Sequence, residues 1–130
     1  MRFKLTEENF DTIKGKIEYY IHYHCGVFKS TKPNSSINSF SKGDIIFNAN
    51  NILESYIDTD IVFTDKYIYI EKLNTYYLFL NGYDKVTLRN WVKRQVKNKT
   101  YLDEYVKFNY QVTFNKLSKY EIFEIILDYM

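Results

Sequence analysis

The stretch Asp60–Gly82, DIVFTDKYIYIEKLNTYYLFLNG, limits the possible folds more than any other part of the chain. Ile61-Val62-Phe63, Tyr67-Ile68-Tyr69-Ile70 and Tyr76-Tyr77-Leu78-Phe79-Leu80 are β-rich runs, parted by the short polar breaks Thr64-Asp65-Lys66 and Lys72-Leu73-Asn74 and closed by Asn81-Gly82. Such runs with such breaks predict an antiparallel meander over about residues 60–80. Farther on, Val106, Phe108, Tyr110, Val112 and Phe114 alternate with Lys107, Asn109, Gln111 and Thr113. That alternation predicts a strand over 104–114 with one buried and one wet face.

Helical signals lie at both ends of the chain. Thr6 is placed to cap a first helix, with Glu7 and Glu8 in the turn where the helix dipole favours acids. Phe10, Ile13, Ile17, Tyr20, Ile21 and His24 follow at spacings of three and four, and Gly26 would end the helix. A second reading ends a short helix at Gly15 and makes Lys16–Cys25, rich in Ile and Tyr, a strand. The helix to Cys25 is preferred. At the other end, Ser118-Lys119-Tyr120-Glu121 has the form of a capping box, with Leu117 placed to staple onto Ile122. Ile122, Ile125, Ile126 and Tyr129 then give a helix over 119–130 a face for the sheet.

Between these signals, residues 29–43 read as a loop, Ile45–Phe47 as a short strand, and the piece from Asn51 onward is ambiguous. The expectation is one α+β domain over residues 1–130: an antiparallel sheet packed by an N-terminal and a C-terminal helix.

At 130 residues the chain has the length of one self-sufficient domain, and a formal charge of +2 is too small to imply polyanion binding from bulk electrostatics. Fifteen Lys, fourteen Tyr, fourteen Ile and twelve Asn stand against one Ala, one Pro, four Gly and three Arg. That bias follows AT-rich codons and points to a low-GC bacterium, its phage or another virus, so tyrosine abundance alone marks no binding surface. The single cysteine rules out an intrachain disulfide framework and a multi-cysteine zinc site. With no secretory-type segment and no apolar run of membrane-spanning length, the chain reads as cytoplasmic, with no membrane partner.

Both histidines and the cysteine fall together in His22-Tyr23-His24-Cys25. In a helix, His22 and His24 lie about 200° apart and cannot share a metal, whereas a strand puts residues i and i+2 on one side. A Cys25 nucleophile would need a lowered thiol pKa and an oxyanion site, and the sequence supplies neither. Read as a strand, His22-Tyr23-His24 resembles the His-hydrophobic-His metal motif of the HUH endonucleases, which nick single-stranded DNA through a tyrosine. The resemblance covers these three residues and implies a small α+β domain, a metal held by His22 and His24, and a nucleophilic tyrosine on a helix. The Tyr-x-x-Lys spacing of that family occurs at Tyr69-Ile70-Glu71-Lys72, inside a predicted strand, and the family's upstream motif has no counterpart before His22.

Residues 85–99, KVTLRNWVKRQVKNK, hold six of the eighteen basic residues and no acid. With Thr87 as cap, a helix here buries Leu88, Trp91, Val92 and Val96 and sets Arg89, Lys93 and Lys97 in a row, with Lys85, Arg94 and Lys99 nearby. As a strand, the same stretch puts Arg89, Trp91, Lys93 and Lys97 on one face. Lys85, Arg89, Trp91, Lys93, Arg94 and Lys97 are therefore the candidate binding residues: the cations for phosphate, Trp91 for stacking on a base.

No nucleotide-binding glycine loop, HExxH or GxSxG is present, and Asp58, Asp60 and Asp65 lack the Asp/Glu-x-Lys element of restriction-type nucleases downstream. The expected function is non-enzymatic and needs no cofactor: a phage- or mobile-element-encoded inhibitor or adaptor of a host protein or ribonucleoprotein, of which an anti-CRISPR is one concrete form. Nucleic-acid binding through 85–99 and HUH-type nicking are the alternatives. The meander's edge strands and exposed tyrosines also offer a way to pair two copies.

Overall fold

The computed structural model describes Met1–Met130. Its strands are β1 (Arg2–Lys4), β2 (Val27–Ser30), β3 (Ile45–Ile46), β4 (Asp60–Phe63), β5 (Tyr67–Ile70) and β6 (Thr75–Phe79). Its helices are α1 (Phe10–Tyr23), α2 (Lys85–Gln95), α3 (Lys99–Tyr110) and α4 (Lys119–Asp128). The α+β class is as expected, and the chain divides into two compact units: Met1–Ser36 with Gly43–Gly82, and Ile37–Lys42 with Tyr83–Met130.

The first unit is a six-stranded antiparallel sheet in the order β1-β4-β5-β6-β2-β3, with α1 against one face. The meander forms as its alternation dictates. Ile61 pairs with Ile70, and Phe63, Ile68 and Tyr77 lie in one cross-strand row. These side chains point inward and pack with Ile13, Ile17 and Ile21 of α1. The opposite face carries the row Val62, Tyr69, Tyr76, where the Tyr69 and Tyr76 rings stack 4.4 Å apart. Both outer strands of the meander are already paired within the chain: β4 takes β1, and β6 takes β2. The pairing of two copies through the meander's own edges therefore has no free meander strand to use.

β2 is the strand that the sequence conceals. Val27 and Phe28 pair with Phe79 and Leu78 on one side and with Ile46 and Ile45 on the other, and both are fully buried, so no alternation advertises them. Backbone geometry at the end of α1 makes the reversal into β2 possible. Cys25 NH donates to the His22 carbonyl and Gly26 NH to the Ile21 carbonyl, the two bonds of a Schellman motif. Cys25 has φ 65° and Gly26 φ 110°; a Cβ on Gly26 would come within 2.9 Å of Ile45. At the other end, Thr6 does not cap α1 directly. Thr6 and Asn9 exchange backbone-to-side-chain hydrogen bonds in the turn before it, and the helix starts at Phe10.

The second unit is helical, and here the expected strand over 104–114 is overturned. Asn98 caps a helix by accepting from Tyr101 NH at 3.0 Å, and Leu102 and Val106, four residues apart, are buried. The apolar alternation is a coincidence of a period-3.6 pattern: Val106 is 0% exposed and Phe108 85%, so alternate residues do not share a face. Gln111 ends α3 in the left-handed region at φ 59°, and the single turn Phe114–Lys116 packs back on the helix. α4 forms as the sequence predicts, with the capping box of Ser118 and Glu121 complete and Leu117 and Ile122 fully buried. Within this unit it packs on α2, as does the short turn Ile37–Ser39.

Candidate binding surface on the second helix

α2 begins one turn earlier than a Thr87 cap would place it. The Asp84 carboxylate accepts from Thr87 NH at 2.8 Å and from the Thr87 hydroxyl at 2.9 Å, and these bonds hold its pKa below the usual carboxylate range. Capping by an acid fits the positive end of the helix. Leu88, Trp91, Val92 and Val96 form the buried stripe that the spacing predicts. Trp91 is buried as the helix reading has it, and so is not placed to stack on a base: it is 0% exposed, and its indole NH donates to the Phe40 carbonyl at 3.0 Å. It anchors the Ile37–Lys42 segment and offers no face to a base.

The cations divide by position. Arg89 and Lys93, one turn apart, converge on a single residue: Arg89 donates to the Asn115 carbonyl at 3.0 Å, and Lys93 Nζ to Asn115 Oδ1 at 3.2 Å. Lys93 also lies 5.2 Å from the centre of the Phe114 ring. Lys85 is exposed on the first turn, and exposed Arg94 donates to Asn38 on the side toward the Ile37–Ser39 turn. The regular helix stops at Gln95, with Val96 extended, so Lys97 leaves the row. What remains is a fixed pair, Arg89 and Lys93, beside a cavity of about 540 Å3 that Lys107, Gln111, Thr113 and Asp103 complete.

Comparison with protein-family models, curated proteins and solved structures finds no match to this chain. The reading of this surface therefore rests on its own residues. Asn115 was missed as the partner of Lys93, and Lys107 as a lining residue of the same cavity, because the alternation over 106–114 set Lys107 on the polar face of a strand and Asn115 just beyond its end. The Asn98 cap, followed by Leu102 and Val106, was the signal that would have placed Lys107 on a helix beside Lys93.

The histidine cluster takes a different form from the one a shared metal requires. Lys16–Tyr23 is helical, so the strand that would bring the two imidazoles to one side is not formed. His22 is exposed in the last turn, and His24 is the C-cap residue. The His24 ring stacks on Phe79 at 3.9 Å with an interplanar angle of 12°, and its Nδ1 is buried without a hydrogen-bond partner. Burial holds the His24 pKa below its usual value, with Asp65 opposing in part. Tyr69, the tyrosine of the Tyr-x-x-Lys spacing, lies in β5 with its hydroxyl donating to Asn74 Oδ1 at 2.9 Å, not on a helix near either histidine. No helix is long and apolar enough to cross a membrane.

Proposed function

We propose that this chain acts by binding, as a non-catalytic inhibitor or adaptor of a host protein or ribonucleoprotein, and that the basic side of α2 is where it meets its partner. The codon-biased composition supports a phage or other mobile element of an AT-rich host as its source, and an anti-defence protein of the anti-CRISPR kind is one concrete member of the class. The observation that carries the reading is the pinning of Arg89 and Lys93 on Asn115. Two long side chains already held in place lose less rotamer freedom when an anionic group docks, which turns surface charge into an organised contact. The burial of Trp91 weakens the nucleic-acid alternative, because the stacking partner is gone and only phosphate contacts are left.

The test is a capture experiment from host extract with the wild-type chain and with Arg89→Glu/Lys93→Glu, followed by reconstitution with the purified partner. The expected result is a defined partner that the double variant no longer holds, with the variant's thermal transition close to wild type. Undiminished capture by the variant would overturn the reading. Titration against single- and double-stranded nucleic acid across a salt series decides the alternative. If phosphate contacts dominate, the slope of log K against log salt is steep, and the double variant flattens it by about 2.

A further inference from the structure

A second surface of the helical unit carries chemistry of the opposite sign. Tyr101, Tyr105 and Phe108 follow one another at i, i+4 and i+7 along one side of α3, and Tyr129 closes the row with its ring 4.7 Å from that of Tyr105. With Glu104 and Asn109 they line an open groove of about 600 Å3. No lysine or arginine lines it. The rings are presented outward: Phe108 is 85% and Tyr101 63% exposed. Asn109 is engaged, its amide donating to the Tyr105 carbonyl at 2.9 Å, whereas Glu104 sits among the rings with no ion pair. Just beyond the groove, the Tyr110 hydroxyl is pushed up to about 12, first by burial and then by Glu124, Tyr105, Glu121 and Asp128, which marks a negative field over this corner.

We infer that this groove holds an arginine side chain of a basic segment on a partner protein, the guanidinium lying over the Tyr101, Tyr105 and Phe108 rings with Glu104 accepting its hydrogen bonds. A purely apolar occupant would satisfy the rings but leave the Glu104 carboxylate desolvated and unpaired. An acidic occupant would be repelled by Glu104 and by the negative ring faces. A planar guanidinium meets both requirements at once, because it stacks on aromatic faces and donates in parallel to a carboxylate. A second copy of this chain docked through α3 about a two-fold axis centred on the groove would bring the two Glu104 carboxylates together, which disfavours that occupant. This inference rests on the reading that the chain acts by binding, but it concerns a surface apart from Arg89 and Lys93, so each can fail while the other stands.

The experiment is an NMR titration of the full chain with two synthetic peptides, acetyl-Ala-Leu-Arg-Ala-Leu-amide and its isosteric neutral twin with citrulline in place of arginine. The expected result is a shift confined to the ring signals of Tyr101, Tyr105, Phe108 and Tyr129, with the arginine peptide binding at least fivefold more tightly. Glu104→Gln should erase that preference, and Phe108→Ala should weaken both peptides several-fold while the other amide signals stay in place. Equal binding of the two peptides, or a preference that survives Glu104→Gln, would overturn the inference. So would the same ring shifts appearing on raising the protein concentration alone, since the occupant would then be a second copy.

Discussion

Cys25 holds a backbone conformation that most residues avoid, and the turn from α1 into β2 depends on it. Its φ of 65° falls in the left-handed region, where a Cβ costs roughly 1–2 kcal/mol and a β-branched side chain more. Cys25 already carries a Cβ, so Cys25→Val adds only the strain of a β-branch and is expected to lower stability in urea unfolding. In Cys25→Gly the relieved dihedral is offset by the greater freedom of the unfolded chain, and stability stays near wild type. Equal losses in the two variants would show that the thiol's contacts, and not the dihedral, set the cost. Its neighbour His24 links this turn to pH. The folded pKa lies below the ordinary 6.5, so the unfolded chain takes up the proton first as pH falls through about that value. The His24 contribution is then fully present above pH 6.5 and declines as pH drops toward the folded pKa, below which it is flat. In urea unfolding at pH 7.5 and 5.5, His24→Phe, which keeps an aromatic ring on Phe79, should lose less stability on acidification than wild type does. The IHYHCG sequence thus displayed its residue types openly but not their part. Whether two imidazoles meet or one stacks alone on Phe79 depends on helix or strand, and Ile- and Tyr-rich segments suit both.

Among the elements, α3 separates what local sequence can decide from what packing decides. The two descriptions of residues 104–114 make opposite predictions for neighbouring apolar positions. As a strand, Val106 and Phe108 would share a buried face and both resist a charge. As a helix, Val106→Asp should cost about 3 kcal/mol or more, whereas Phe108→Asp should stay within about 0.5 kcal/mol of wild type. Thermal unfolding of the two variants reads the difference directly, and matching losses would restore the strand. The meander and α4 were legible because several signals agreed: β-branched runs with polar turns in one, a complete capping box before an apolar stripe in the other. β2 and α3 were not. Val27 and Phe28 are buried between two neighbouring strands and show no alternation, and α3 carries an accidental period-2 pattern over its period-3.6 one. The candidate surface was legible in part. Arg89 and Lys93 were named from their spacing, but Trp91 turned inward onto Phe40, and the residue that gathers the two cations, Asn115, is distant in sequence.

At the scale of the whole molecule, the sheet ends in very short strands, β1 with three residues and β3 with two. Short edges offer little template for pairing with another chain. β4 is the longer strand beneath β1, and Arg2 reinforces the cover through ion pairs to Asp60 and Glu71. A chain lacking residues 1–4 should therefore self-associate more than the full chain in sedimentation velocity, through the bared edge of β4. Identical sedimentation of the two forms would show that β1 shields nothing. The register of Arg2 with Val62 also sets an order in time. On the ribosome, β1 is made before its partner, which is synthesised 60 residues later, a wait of roughly 3–12 seconds at about 5–20 residues per second. The hairpins β4–β5 and β5–β6 close locally as soon as they emerge, so β1 is a latch that shuts on a sheet already built. During that interval β1 waits without its partner, which makes the speed of translation through residues 5–63 part of how safely this protein is made.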